Sequence, residues 1–233
     1  MTIEEYKARV AEAKRIVFFG GAGVSTESGI PDFRSVDGLY NQKYDVPPET
    51  ILSKEYFYAF PDLFYKFYFD KMICRSAMPN AAHKKLAQWE REGKLLAVIT
   101  QNIDGLHQAA GSKKVFELHG TTLSNHCIRC GKEYSLDEIS ATAPAVPKCT
   151  CGGIIKPDVV LYGESLPNEA VCGALDAISN ADMLIVGGTS LTVYPAAGYI
   201  GYYQGDKDNL IVINKTYIDR FPNQLNGKLG DLL

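Results

Sequence analysis

Four of the six cysteines lie in two close pairs. Cys127 and Cys130 have two residues between them, Cys149 and Cys151 have one, and 18 residues separate the pairs. Thiolate pairs on tight, glycine-flanked turns are typical of a tetrahedral zinc ribbon. Four sulfur ligands leave no open position for water, so the pattern predicts a structural zinc rather than a catalytic one. Replacement of one sulfur by His126, or four unligated cysteines, are the alternatives.

A glycine-rich turn follows the first apolar run, residues 16–19. The run Gly20-Gly21-Ala22-Gly23 lets a phosphate approach backbone N–H groups where a helix begins. It lacks the third glycine of a dinucleotide fingerprint, and no acidic residue near position 40 ends a second strand. These departures disfavour an ordinary dehydrogenase, and the turn alone is also compatible with a structural role.

His119 directly follows the apolar run 115–118. Ligands of open α/β sheets bind at the carboxyl ends of the strands, and an imidazole titrates near neutrality. His119 is therefore a candidate general base, although a lone histidine is more often structural. His83 and His107 lie in predicted helices and are interpreted as structural. Cys74 and Cys172 lie in apolar helical contexts and are predicted to be buried.

The secondary-structure elements that must position these residues alternate regularly along the chain. Short apolar runs at 16–19, 95–99, 115–118, 183–186 and 210–213 alternate with helix-like segments. Thr2 and Glu5 resemble a capping box that begins the first helix. Buried strands that alternate with helices predict an α/β fold, a doubly wound parallel Rossmann-like sheet.

Two segments depart from this alternation of strands and helices. Residues 35–78 are rich in aromatic side chains and look helical after Pro61, and residues 123–156 hold the cysteine pairs. We predict that both belong to a smaller inserted lobe, a helical segment plus a zinc ribbon. The remaining segments, 1–34, 79–122 and 157–233, then form the Rossmann-like nucleotide-binding domain.

The bulk composition excludes several classes of protein. The chain has 233 residues and a formal net charge of −3, whereas a dedicated nucleic-acid binder usually carries a basic surplus. No apolar run approaches the roughly 18 residues that span a bilayer, and the charged beginning lacks a signal-peptide core. The sequence therefore predicts a soluble, cytoplasmic protein that binds neither nucleic acid nor a membrane. In that compartment its cysteines stay reduced. We expect a monomer.

Several longer motifs occur in a fixed order along nearly the whole chain. They are GAGVSTESGIPDFR at 21–34, TQNIDGLH at 100–107, ELHG at 117–120, GTSL at 188–191 and VIN at 212–214. This ordered set closely resembles the sirtuin family, and most of all its bacterial and archaeal members. The resemblance implies an NAD-dependent protein-lysine deacetylase that transfers the acetyl group to ADP-ribose and releases nicotinamide.

The resemblance also implies roles for individual residues. His119 would act on the ribose 2′-hydroxyl through the 3′-hydroxyl, with Gln101 and Asn102 beside it as further catalytic residues that contact the same ribose. The complete implied set of NAD-binding residues is Ala22, Gly23, Thr26, Phe33, Arg34, Gln101, Asn102, Ile103, Asp104, His119, Gly188, Thr189, Ser190, Asn214, Asp231 and Leu232.

The implied second substrate is an extended peptide that carries an acetylated lysine. Segments 159–164 and 190–194 resemble the two that sandwich it as an added strand, with Val160, Gly163, Glu164 and Leu191 as contact residues. Tyr68 and Lys71 match a Tyr-x-x-Arg pair that selects acidic acyl groups in some sirtuins. Because lysine lacks the planar fork of arginine, we favour acetyl, with longer or acidic acyl groups as alternatives.

The chain departs from the family pattern at three places. Gly20 replaces a common threonine, the second cysteine pair is one residue short, and the chain stops after Gly230-Asp231-Leu232-Leu233, where a terminal helix usually continues. We therefore expect part of the adenine-site cover to be missing. Mono-ADP-ribosyl transfer to protein is a second enzymatic hypothesis. A zinc-ribbon binding module for nucleic acid or a partner is a third, disfavoured by the few basic residues in 123–156.

Overall fold

The computed structural model describes residues 1–33, 38–41 and 44–233, and Arg34, a predicted NAD-binding residue, lies outside them. The described strands form two sheets. In chain order they are β1 (Ile16–Gly20), β2 (Leu95–Thr100), β3 (Val115–Glu117), β4 (Gly120–Cys127), β5 (Glu133–Ser135), β6 (Ile155–Val159), β7 (Met183–Gly187), β8 (Leu210–Asn214) and β9 (Gln224–Asn226).

Helices lie between several of these strands, and the predicted capping box of Thr2 and Glu5 begins the first helix. A π-helical turn, Tyr68–Met72, extends the fourth helix. None of the described helices has both the length and the apolar character that a bilayer crossing requires. The α-helices are α1 (Ile3–Glu12), α2 (Pro48–Ile51), α3 (Lys54–Ala59), α4 (Pro61–Phe67), α5 (Ala81–Arg91), α6 (Leu106–Ala109), α7 (Leu136–Ser140), α8 (Asn168–Asn180) and α9 (Leu229–Leu232).

The larger sheet is parallel, with the strand order β3-β2-β1-β7-β8-β9. The chain builds outward from β1 to β3 and later continues on the other side of β1 with β7, so the order reverses between these two strands. Every residue of β1 and β7 is buried, as their continuous apolar runs predict. The predicted doubly wound α/β fold is confirmed. The short strand β9 was not predicted, because its residues are mostly polar.

Helices cover both faces of this sheet. Side chains alternate along β1, so Phe19 faces a core that includes Ile178 of α8. Phe18 faces the opposite core, with Leu86 of α5 and Tyr6 of α1. The alternation follows from the two-residue period of a strand and gives the sheet its two helical layers.

The smaller sheet is antiparallel, in the order β5-β4-β6, and it packs with the aromatic helices. Phe57 and Phe64 share one buried cluster with Cys127, Cys149 and Ile155. The Tyr65 hydroxyl also donates a hydrogen bond to the Ile155 carbonyl. The aromatic segment and the cysteine segment, which are distant in sequence, therefore have a common core.

Two cysteines differ from the prediction. Cys74 and Cys172 are exposed rather than buried. Cys74 follows the end of the π-helical turn and lies outside any helix. Cys172 does lie in α8, but the buried residues of that helix are Ala174, Ala177 and Ile178. Two residues correspond to about 200° around a helix, so Cys172 faces away from them.

His83 of α5 and His107 of α6 form a buried pair, as their predicted structural role implies. Their exposed fractions are 0% and 1%, and their ring centroids are 4.6 Å apart. Neither ring nitrogen of His107 has a hydrogen-bond partner among the described residues. Burial lowers the pKa of His107 to about 3 and also lowers the pKa of His83. Both rings are therefore neutral near neutral pH.

We predict that His107→Leu reduces the loss of stability in acid. Between pH 6.5 and about 3 the unfolded chain protonates this histidine while the folded chain does not. The free energy of unfolding therefore falls as the pH falls, by up to about 1.4 kcal/mol per pH unit for one histidine. Urea unfolding of wild type and variant at about pH 7.5 and about pH 5.5 measures the difference. An equal pH dependence in both proteins would contradict this origin.

Candidate active site

A cleft of about 970 Å³ lies at the carboxyl ends of the parallel strands. The last residue of β1, Gly20, pairs in register with Thr100 on one side and Gly187 on the other. The loops that follow these strands therefore meet at one edge of the sheet. The predicted site residues that line the cleft are Ala22, Gly23, Thr26, Phe33, Lys71, Gln101, Asn102, Ile103, Asp104, His119, Val160, Gly163, Glu164, Gly188, Thr189, Ser190 and Asn214.

Four predicted residues lie away from the cleft wall that the structure describes: Tyr68, Leu191, Asp231 and Leu232. Tyr68 is 1% exposed and stacks on Phe64 in the aromatic core. Leu191 is 3% exposed and has a left-handed backbone, with φ 54°. Lys71 does line the cleft, and its Nζ lies 3.0 Å from the carboxylate of Asp70.

The glycine turn continues as two 3-10 turns, Ala22–Val24 and Thr26–Ser28, rather than as the start of a longer helix. The Thr26 hydroxyl donates to the Gly23 carbonyl at 3.0 Å, a local bond that competes with helix formation. The amide N–H of Ala22 has no acceptor among the described residues. Single N–H groups, rather than the dipole of a long helix, are therefore available to an anion in the cleft.

Gly23 packs directly against Gly188, the residue after β7. Its N–H donates to the Gly188 carbonyl at 2.8 Å. A Cβ atom on Gly23 would come within 2.7 Å of the Gly188 Cα, and Gly188 itself has φ 61°. Glycine at both positions lets the loop after β1 and the loop after β7 touch through their backbones.

Ser25 organises the polar floor of the cleft, and sequence reasoning missed it. Its hydroxyl donates to Asp104 Oδ2 at 2.6 Å and accepts from Asn102 Nδ2 at 3.1 Å. Ser25 is 1% exposed, so these bonds satisfy a group that is costly to bury alone. Its location inside the run 21–34 was the available signal, but serine is common in turns. The bonds orient both Asn102 and Asp104.

A second network joins the loops after β2, β7 and β8. Gln101 Nε2 donates to the Thr189 hydroxyl at 3.1 Å. The Asn214 side chain accepts from the Thr189 N–H at 3.1 Å and donates to the Thr189 carbonyl at 2.8 Å. Asn214 therefore fixes the backbone of Thr189 in addition to lining the cleft.

His119 lies after β3 with a defined tautomer. Its Nδ1 is 2.9 Å from the Gln101 carbonyl oxygen, which can only accept, so Nδ1 carries the hydrogen. The lone pair of the neutral ring is then on Nε2. Burial lowers the pKa of His119 below the ordinary value of 6.5. A neutral imidazole with a free Nε2 can accept a proton near neutral pH.

The segment after β6 lies against His119. The Val160 N–H donates to the His119 carbonyl at 2.9 Å, whereas the Val160 carbonyl accepts no hydrogen bond from the described residues. Both residues line the cleft. One backbone hydrogen bond therefore holds the candidate base, His119, next to Val160, whose carbonyl is a free acceptor.

Glu164 fixes the turn that ends this segment. Its carboxylate accepts from the Leu161 N–H at 2.9 Å and lies 3.1 Å from Lys156 Nζ. The Lys156 side chain is 8% exposed and also donates to the carbonyls of Pro157 and Val159. The carboxylate of this predicted substrate residue is thus engaged by the protein itself.

The four predicted zinc ligands come together. The sulfur atoms of Cys127, Cys130, Cys149 and Cys151 all lie within 4.8 Å of one another. The Cys127–Cys151 and Cys130–Cys149 sulfur distances are 3.5 and 3.6 Å. Zn–S bonds of about 2.3 Å give tetrahedral edges of about 3.8 Å, so the group fits zinc. A Cβ on Gly153 would come within 2.6 Å of the Cys127 sulfur, so glycine is needed beside the cluster.

We predict that Glu164→Gln destabilises the protein by about 3 kcal/mol, because it leaves a buried ammonium group without its counter-charge. Urea unfolding measures the change. Glu169→Gln, at an exposed position at the start of α8, is the matched control and should change stability little. Equal stability of the two variants would show that the ion pair is unimportant.

We predict that the purified protein contains one zinc ion per chain and that Cys151→Ser loses it. Because the metal joins two segments of the smaller lobe, the variant should also unfold at a lower temperature. Elemental analysis and thermal unfolding measure the two effects. The control is Cys172→Ser, which removes an exposed cysteine outside the cluster. Full zinc content in Cys151→Ser would refute the four-sulfur site.

Comparisons with known proteins agree with this geometry. The Sir2 family model matches residues 21–195. An NAD-dependent protein deacetylase of Clostridium acetobutylicum is 56% identical over 217 residues, which cover 92% of this chain and 88% of the relative. An NAD-dependent protein deacetylase of Clostridium tetani is 50% identical over 238 residues, covering 100% and 96% of the two chains.

Solved structures extend the similarity to the whole fold. A Sir2 enzyme studied for its mechanism and regulation superposes with a TM-score of 0.89 at 39% identity, covering 99% of this chain and 94% of that one. A Sir2 variant with a deacetylated p53 peptide and 3′-O-acetyl-ADP-ribose gives a TM-score of 0.89 at 38% identity, covering 99% and 95%. The chain belongs to the Sir2 family.

Proposed function

We propose that this protein is an NAD-dependent protein-lysine deacetylase, which transfers the acetyl group of acetyl-lysine to ADP-ribose and releases nicotinamide. The observation that carries the proposal is the position of His119. His119, whose neutral ring carries its lone pair on Nε2, lines the same cleft as the glycine turn and Val160, whose carbonyl accepts no hydrogen bond from the described residues. The names of the Clostridium relatives support the same activity.

The residues around the glycine turn suit a dinucleotide. The Ala22 N–H, Gly23 and Thr26 would hold the pyrophosphate, since the loop offers backbone donors and close backbone approach. Bound NAD supplies a ribose carbon from which nicotinamide can leave. The other residues assigned to NAD are, for the nicotinamide ribose, Gln101 and Asn102; for the nicotinamide pocket, Phe33, Ile103 and Asp104; and for the adenosine end, Gly188, Thr189, Ser190 and Asn214.

His119 acts as the general base in this proposal. Its Nε2 takes up a proton from a ribose hydroxyl, and the Gln101 carbonyl stabilises the resulting imidazolium through Nδ1–H. Asn102, which is held against Ser25, would contact the same ribose. Because burial lowers the pKa of His119, the ring is unprotonated and ready at neutral pH.

The second substrate binds as an extended strand between segments 159–164 and 190–194. Backbone pairing of this kind tolerates many sequences. The Val160 carbonyl is a suitable acceptor for the lysine amide, since it accepts no hydrogen bond from the described residues. The acidic-acyl alternative has less support, because Lys71 is already paired with Asp70 and Tyr68 is buried away from the cleft. We therefore propose acetyl-lysine as the substrate.

We also propose that the protein is cytoplasmic and monomeric. We further propose that the nucleotide-binding domain consists of residues 1–34, 79–122 and 157–233, and that the smaller lobe consists of residues 35–78 and 123–156. The thiol cluster supports a reducing compartment. The shared core of the aromatic and cysteine segments supports their assignment to one lobe.

We predict that His119→Ala lowers NAD-dependent deacetylation of an acetyl-lysine peptide by about 10²–10⁴-fold, because the general base is removed. Nicotinamide release and peptide mass measure the activity. The control is Lys7→Ala, at an exposed residue of α1 outside the cleft, which should leave the activity unchanged. Normal deacetylation by His119→Ala would refute the assignment of the base.

A further inference from the structure

Two tyrosine hydroxyls form a hydrogen bond between residues 122 positions apart in the chain. The hydroxyl oxygens of Tyr40 and Tyr162 are 2.8 Å apart, and both residues line the cleft. Tyr40 lies in the 3-10 turn Leu39–Asn41, and Tyr162 lies in the proposed peptide-binding segment. None of the roles considered above uses this contact.

The Tyr40 end of the bond is tied to the nucleotide side. The Tyr40 ring packs on Phe33, with ring centroids 5.3 Å apart and planes at 59°. The Tyr40 N–H donates to the Phe33 carbonyl at 2.8 Å, and the Leu39 N–H donates to the Asp32 carbonyl at 2.9 Å. Displacement of Phe33 therefore also displaces Tyr40.

The Tyr162 end is tied to the peptide side. Its N–H donates to the Leu52 carbonyl at 3.0 Å, and its carbonyl accepts from the Lys54 N–H at 2.9 Å. These bonds fix the backbone between Val160 and Gly163, so the position of the ring follows the position of the peptide-binding segment. Tyr162 is 39% exposed, and loss of its hydroxyl removes no core packing.

We propose that Tyr162 is a positioning residue that couples the two substrate sites through its hydrogen bond to Tyr40. NAD that orders Phe33 also orders Tyr40, and Tyr40 then holds the segment that binds the acetyl-lysine peptide. Because binding linkage is reciprocal, bound peptide must favour NAD by the same factor. A single neutral hydrogen bond gives a coupling of about 3- to 10-fold.

The test measures this coupling in the full chain with carba-NAD, an NAD analogue whose nicotinamide cannot leave. The dissociation constant of an acetyl-lysine peptide is determined without and with saturating carba-NAD, for wild type and Tyr162→Phe. The variant should lose about 3- to 10-fold of the carba-NAD-dependent gain in peptide affinity. Tyr58→Phe, at an exposed tyrosine outside the cleft, is the matched control.

A double-mutant cycle with Tyr40→Phe separates the bond from other effects of either ring. If the bond is the link, Tyr40→Phe, Tyr162→Phe and the double variant all lose the same factor. Unchanged coupling in Tyr162→Phe, or losses that multiply in the double variant, would overturn the proposal. The inference rests on the proposed deacetylase function, which is checked separately by turnover of the wild type. An inactive wild type contradicts that function, whereas active variants with unchanged coupling contradict only the tyrosine link.

Discussion

Parallel hydrogen bonding of β1 to both β2 and β7 is the constraint on which the site depends. Pairing in register places the last residues of these strands, Gly20, Thr100 and Gly187, side by side. The loops that follow carry the glycine turn, the Gln101–Asp104 segment and Thr189, which are far apart in sequence. A one-residue shift in register would move each side chain of these strands to the opposite face of the sheet and disrupt its packing in the two cores. The geometry of the cleft is thus fixed by the core beneath it.

The polar groups of the cleft are held in place by hydrogen bonds to one another. Ser25 joins Asn102 to Asp104, and Thr189 joins Gln101 to Asn214. Each buried donor that finds an acceptor avoids a cost of about 1–3 kcal/mol, so the networks are compatible with a stable fold. They also restrict rotamers, which is what a binding site needs. Gln101 contributes twice, through its side chain and through the carbonyl that sets the His119 tautomer.

Features that depend on local residue patterns could be predicted from the sequence. The strands around residues 16–19 and 183–186 follow from continuous apolar runs, and the zinc cluster follows from cysteine spacing. Features that depend on competition between bonds could not. The Thr26 hydroxyl donates to the Gly23 carbonyl within the segment after Gly21, which forms 3-10 turns. Glu164 was predicted to contact the substrate, yet its carboxylate is bound to Lys156 and Leu161, partners that no local pattern indicates. The position of His119 in the predicted sheet was correct, but its tautomer required the structure.

Product analysis tests the central claim most directly, namely that one cleft brings acetyl-lysine to the ribose of NAD. Metal-loaded protein is incubated with an acetyl-lysine peptide with and without NAD. All products are identified and quantified by mass spectrometry. The account predicts one acetyl-ADP-ribose and one nicotinamide for each acetyl group lost from the peptide, and no deacetylation without NAD. Release of free acetate at the same rate in the absence of NAD would contradict it.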